Sequence, residues 1–415
     1  MKNVSVSMHR TFATVALLFF VVAPRLAAQQ KNVCVECHAN LQGKMKIPVE
    51  DVASSVHGHK GMSCETCHGG NPADAAHAKS AGSGFRDIKR ADIPQLCGSC
   101  HADANRMKQF NPSLRTDQLA QYHTSVHGMK FSKGDAHVAV CTDCHGVHDI
   151  RPASDPRSTV HALNVATTCS RCHSDAELMK TYGISSKQYA DYSDSVHHAA
   201  MVERGDLSAP TCSTCHGSHG AVPPGAGSVA NVCSTCHVLQ AQAFEESPHK
   251  AAFADGCATC HGAHNIKRPD DNFVGLAAGS ACGECHTADD DAGKAAAAIH
   301  DQLKDYEKTI AEATLVLDRA AHSGMDVADA QLEISQAMDF LTKARVRVHT
   351  AKLARVNAEL NAGMKIAQRA RNDGESALKE RNSRRKALLV PVLAIAAVVL
   401  SLGAYIRELE RKGDS

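Results

Sequence analysis

Cysteine occurs 18 times in this chain of 415 residues, and every cysteine belongs to a Cys-x-x-Cys-His unit. The units are Cys34, Cys37 and His38; Cys64, Cys67 and His68; Cys97, Cys100 and His101; Cys141, Cys144 and His145; Cys169, Cys172 and His173; Cys212, Cys215 and His216; Cys233, Cys236 and His237; Cys257, Cys260 and His261; and Cys282, Cys285 and His286. Two thiols at this spacing can add to the two vinyl groups of a porphyrin, and the next residue can place its imidazole under the iron. That is the attachment signature of c-type haem. A lone Cys-x-x-Cys would suit a thioredoxin-like redox site or a zinc knuckle equally well. Nine copies, each with its histidine and no cysteine left over, favour nine covalent haem c groups with the nine motif histidines as proximal ligands. A disulfide framework would not require histidine after every second cysteine.

The chain carries 26 histidines, far more than the motifs use, and many of the others recur at fixed places. Ser55-Val56-His57, Ser125-Val126-His127, Ser195-Val196-His197 and Ser247-Pro248-His249 each precede a motif, and Tyr122, Tyr192 and Phe244 stand three residues before the serine in three of them. His148, His219 and His264 lie three residues after a motif histidine, following a glycine. In the first copy Asn71 takes that place and His77 is the nearest substitute. The pattern reads as one leading haem followed by four two-haem modules. The recurring histidines, His57, His77, His127, His148, His197, His219, His249 and His264, are the candidate distal ligands, without assignment to individual irons. His300 or His161 is the first choice for a ninth, with His59, His123 and His349 behind them. Met62, Met129 and Met201 follow the Ser-x-His elements and read as packing residues. Histidine on both sides of the iron implies mostly low-potential haems, because methionine raises the potential.

The elements that must hold these residues follow from composition. Tryptophan is absent, aromatic residues make up 4%, and the formal net charge is +1, which gives little basis for nucleic-acid binding. So thin an apolar inventory suggests that the porphyrins themselves form the core of residues 29–290, within short motif-bearing helices and long loops and with little sheet. Residues 1–28 read as a secretory signal peptide cut near Ala28. Beyond residue 290 the cysteines stop. Ile299, Leu303, Tyr306, Ile310, Ala313 and Leu317 form a heptad seam, Ser323-Gly324 breaks the helix, and Asp326 can cap a second one. That second helix carries Ile334, Met338, Leu341, Ala344 and Val348 and is predicted to run to about Arg381, so that residues 291–383 make an antiparallel helical hairpin. Ala387–Tyr405 is uncharged and of membrane-spanning length. It lies within an expected transmembrane helix at 384–406, with a cytoplasmic tail at 407–415. The predicted fold class is therefore mostly α with much irregular loop: a haem-cored multihaem cytochrome c array, a helical hairpin and one C-terminal transmembrane helix.

The segments Gln118–Gly128, Cys144–Ile150, Ser154–Ser158 and Ala166–Cys169 resemble those of periplasmic multihaem c-type cytochromes with cytochrome c3-like, doubled Cys-x-x-Cys-His motifs. The resemblance covers roughly residues 30–290 and implies bis-histidine haems and electron transfer; Asn71 departs from it. The expectation is a nonahaem cytochrome anchored in the cytoplasmic membrane with its haem domain in the periplasm. It would carry electrons from a quinol-linked donor, such as a quinone-reactive membrane subunit, to periplasmic or outer-membrane redox proteins, and the hairpin could also self-associate. The alternative is a multihaem reductase of a small nitrogen or sulfur oxyanion at one open-coordinate haem.

Overall fold

The computed structural model describes residues 32–76, 78–224 and 229–413. The expected signal peptide and the candidate ligand His77 lie outside these residues. Among the described residues there is no strand, and the segment through residue 290 consists of short helices joined by turns and loops.

The motifs make their own local structure. In Cys64–His68 and Cys212–His216 the motif is one short helix, which puts the two cysteines and the histidine within a single turn. The residue before the first cysteine opens that turn. Ser63 N–H donates to Thr66 Oγ1 at 3.2 Å, and Thr211 N–H to Thr214 Oγ1 at 3.1 Å. Val140 N–H donates to Asp143 Oδ2 at 2.7 Å in the same register. These bonds satisfy an amide at the helix start that has no intrahelical partner. The glycine after the histidine closes the turn: Gly146 and Gly217 have φ of +79° and +82°, a region that side chains with a Cβ rarely enter.

The Ser-x-His elements are also short N-capped turns. Buried Ser125 accepts from Gly128 N–H at 2.9 Å, Ser195 from His198 N–H at 3.2 Å and Ser55 from Gly58 N–H at 3.0 Å. The upstream tyrosines tie these turns to the following motif. Tyr122 Oη donates to Ala139 O and Tyr192 Oη to Pro210 O, both at 3.0 Å, two residues before the first cysteine.

The described chain packs as two units, one holding residues through Leu96 with Gly146–Ile150, the other Cys97–His145 with the chain from Arg151 onward. The same interlock recurs in both. In the first, Val56 N–H donates to Ile150 O at 2.8 Å. In the second, Val126 N–H donates to Ala221 O at 3.1 Å and Val196 N–H to Ile266 O at 2.9 Å. The donor follows the serine of one module; the acceptor lies two residues past the trailing histidine of the next.

The continuous apolar core belongs to three long helices at the end of the second unit, Asp291–Ala321, Ala328–Arg347 and Leu353–Gly413, which all pack on one another. The predicted seam is buried throughout, from Ile299 to Leu317. Gly324, at φ +79°, ends the first helix, and Asp326 accepts from Ala328 N–H at 3.2 Å. The hairpin expectation is corrected here. The second helix stops at Arg347, and a 3-10 turn, Val348–Thr350, leads through Ala351 at φ +51° into a third helix. Thr350 holds this turn, donating to Arg347 O at 2.7 Å and accepting from Lys352 N–H at 3.2 Å. Met338 is exposed; Ala337 takes the inward position between Ile334 and Leu341. Tyr306 Oη donates to Ala337 O at 2.8 Å inside the bundle, and a Cβ on Gly363 would lie 2.0 Å from that oxygen, so the third helix needs glycine there.

The third helix continues unbroken past the bundle into the apolar segment, whose mean hydropathy is 2.6 and which is exposed on all sides. It is long and apolar enough to cross a membrane. Arg381 donates to Ser323 Oγ at 2.7 Å, which places the first interhelical loop beside the start of that segment. From Leu353 to Ala387 a straight helix rises about 50 Å, so the loop before Leu353 lies at the other end of the bundle. Leu317→Ala, at a side chain 1% exposed, is expected to destabilise the bundle by about 2–5 kcal/mol. Leu315→Ala, at 61% exposure, should stay within about 0.5 kcal/mol of wild type. Thermal melts followed by circular dichroism check both.

Candidate haem sites

None of the 18 motif cysteines is in a disulfide among the described residues, and consecutive motifs lie side by side. In the second unit the first cysteines of neighbouring motifs touch: Cys97 hydrogen-bonds Cys141, Cys169 hydrogen-bonds Cys212, and Cys233 hydrogen-bonds Cys257. In each pair the second thiol is held low by its neighbour, Cys141 and Cys212 at about 7 and Cys257 at about 6. The other cysteines make the alternate steps. Burial pushes the Cys144 thiol up and Cys172 adds to it; Cys215 is raised by burial with Cys236 contributing, and Cys260 by burial with Cys282 and Cys285 contributing. Spatial order in this unit therefore follows sequence order from Cys97 to Cys285. In the first unit burial raises the Cys64 thiol and Cys34 adds to it.

Six motif histidines each face a second imidazole. His145 faces His219 with ring centres 5.9 Å apart, His216 faces His264 at 6.0 Å, and His261 faces His349 at 6.1 Å. His173 faces His127 at 6.1 Å, His286 faces His249 at 6.1 Å, and His237 faces His197 at 6.3 Å. An iron held between two imidazole nitrogens, with each bond about 2 Å, separates the ring centres by roughly 6 Å. The histidine pairs thus fit a six-coordinate haem iron, and each pair lies beside two cysteines that could hold the porphyrin.

Five of the pairs fall into two classes. Where the trailing histidine of the next module is the partner, the rings are nearly parallel, at 9° for His145 with His219 and 8° for His216 with His264. Where the Ser-x-His histidine is the partner, they are tilted, at 60°, 44° and 42° for His127, His197 and His249. In the first unit His148 lies near His68; its pKa is lowered by burial first and then by His68. His57 occupies the same place after Ser55 that His127 occupies after Ser125.

Hydrogen bonds orient several rings. Nδ1 of His38 bonds Met45 O at 2.9 Å and Nδ1 of His216 bonds Val222 O at 3.2 Å, so Nδ1–H donates and the Nε2 lone pair is left for a ligand. The two first choices for a ninth distal histidine differ from His349: among the described residues no ring contact with a motif histidine accompanies their Nδ1 bonds. His300 Nδ1 is 3.0 Å from Asp301 Oδ1, and His161 Nδ1 accepts from Leu163 N–H at 3.3 Å, capping the helix Ala162–His173. The ring facing His261 is His349, in the turn between the second and third long helices. Its sequence neighbourhood carries no repeat that would single it out.

The family model for cytochrome c554 and c-prime matches residues 20–69, so the chain is similar there to a multihaem c-type cytochrome family. That match implies covalent haem c and an electron-transfer role, and the 18 cysteines are compatible with several haems. Neither a curated protein nor a solved structure matches the chain.

Burial, before any other cause, lowers the pKa of His127, His145, His173, His197, His219, His249, His261 and His264. A depressed folded pKa contributes stability that is present above the unfolded value, about 6.5, and is lost as pH falls through the folded value. Ligation acts in the same direction, since only the neutral imidazole binds metal. The low-spin Soret band of the loaded protein is expected to hold between about pH 7 and 9 and to collapse on acidification. Loss on the alkaline side first would contradict this.

Proposed function

We propose that the chain is a membrane-anchored nonahaem c-type cytochrome that passes electrons between a quinol-linked donor at the cytoplasmic membrane and periplasmic or outer-membrane acceptors. The observation that carries the proposal is the set of opposed imidazoles: six motif histidines each meet a second histidine at the spacing a six-coordinate iron requires, with the attachment cysteines alongside. When bound, haem supplies one-electron chemistry. The chain supplies the rest. The motif cysteines would hold each porphyrin. His127, His197, His219, His249 and His264 would hold the irons together with His173, His237, His145, His286 and His216, and His148 together with His68. An iron held by two imidazoles would leave no place for substrate, which favours electron transfer over catalysis at these sites. The sequential placement of motifs from Cys97 to Cys285 then makes a path of short steps.

The helical bundle supports the anchoring. Its third helix reaches from the array into the apolar segment without a break, with Arg384, Arg385 and Lys386 before that segment and Arg407 after it. Because that helix holds the turn at His349 about 50 Å from the apolar segment, electrons reach the site on His261 from a protein donor or a neighbouring haem rather than from quinol within the bilayer.

Haem counting and low-temperature electron paramagnetic resonance on the oxidised, purified protein test the reading. Nine haems per chain are expected, with low-spin signals in two groups that reflect the parallel and tilted ring pairs. A high-spin iron that shifts on adding nitrite or hydroxylamine would replace this reading with the reductase one. A chain ending at Ser383 is expected to keep its haems and to move from the membrane to the soluble fraction; retention in the membrane would count against the anchor.

A further inference from the structure

We infer that His349 is the distal iron ligand of the haem attached at Cys257 and Cys260, and that the helical bundle closes the array in the place of a further module. The inference rests on the haem reading above and concerns the one module that has no successor.

In the second and third modules the first motif histidine, His145 or His216, is met by the trailing histidine of the module that follows. The backbone makes this possible: Val126 and Val196 donate to Ala221 O and Ile266 O, two residues past that trailing histidine. The fourth module repeats the element as Ser247-Pro248-His249. Proline stands where the valines donate, and it has no N–H to give. Residues 287–415 hold no further Cys-x-x-Cys-His unit, and the helical bundle takes the next place along the chain.

The bundle fills the place. His349 faces His261 at 6.1 Å and 24°, closer to the nearly parallel pairs than to the tilted ones. Its Nδ1 bonds Val346 O at 3.0 Å, as His216 Nδ1 bonds Val222 O, which leaves Nε2 for the iron. The turn that carries it is held by buried Thr350. Ion pairs replace the missing backbone interlock. Arg355 bonds Glu246 at 3.0 Å, beside Ser247, and Arg345 makes a two-pronged contact with buried Asp271 at 2.9 and 2.8 Å. A terminal repeat that differs from the others and covers the last exposed face is what a stacked array needs at its end.

The test uses the full-length, haem-loaded protein. His349→Ala is expected to keep the wild-type haem count and to gain one high-spin ferric signal, which added imidazole returns to low spin. His349→Met should stay six-coordinate and move one redox couple to higher potential, since methionine raises the potential of a haem. Only low-spin signals in His349→Ala would overturn the inference while leaving the haem reading in place. If His349→Ala does not accumulate, His349→Met decides: one shifted couple supports the ligand role and an unchanged titration overturns it. A wild-type chain without low-spin haem would overturn both.

Discussion

The described residues between 32 and 290 are organised around bringing one imidazole to face another. One of the two comes with the attachment motif and needs only a helical turn. The other must arrive from elsewhere in the chain, and the repeated pieces of this sequence serve that arrival. A buried serine caps the turn that presents one histidine, a tyrosine hydroxyl ties that turn to the next motif, and a valine amide fastens the trailing segment of the following module. Each bond is worth about 1 kcal/mol by itself. Together they hold imidazoles from distant segments at one spacing, as with His145 and His219 or His127 and His173.

The two ways of delivering the second imidazole explain the architecture. Ser-x-His elements serve a motif within their own module, whereas trailing histidines serve the module before. Every module is thereby completed by its successor, so the array behaves like a one-dimensional stack in which the last member is left unfinished. The three-helix bundle sits at that end. It has its own apolar core, it is pinned to the last module by Arg345 and Arg355, and its third helix extends toward the apolar span. One element thus connects the motif-bearing region to the apolar span.

Much of this was legible in the residues. The motifs, the Ser-x-His and trailing histidines, the scarcity of sheet and the seam from Ile299 to Leu317 are periodic or local patterns, and such patterns survive without knowledge of the fold. Three features were not legible. Helix continuity beyond Arg347 looked favourable by propensity, yet Thr350 and a left-handed Ala351 turn the chain there because a third helix packs against the first two. Met338 satisfied the hydrophobic spacing, but small Ala337 faces inward, where Tyr306 reaches across to its carbonyl. His349 stands outside any repeat, so recurrence, the signal that marked the other second imidazoles, left it only among the lesser candidates.

The sequence alone determined where cofactor can be attached and where a membrane can be crossed. Cysteine, cysteine and histidine lie within one turn of chain, and an apolar span is a property of consecutive residues. Which histidine faces which was decided only by tertiary structure. The partners are tens of residues apart, and their meeting depends on a backbone amide of one module finding a carbonyl of the next, or, at the end of the array, on arginines of the bundle finding Asp271 and Glu246.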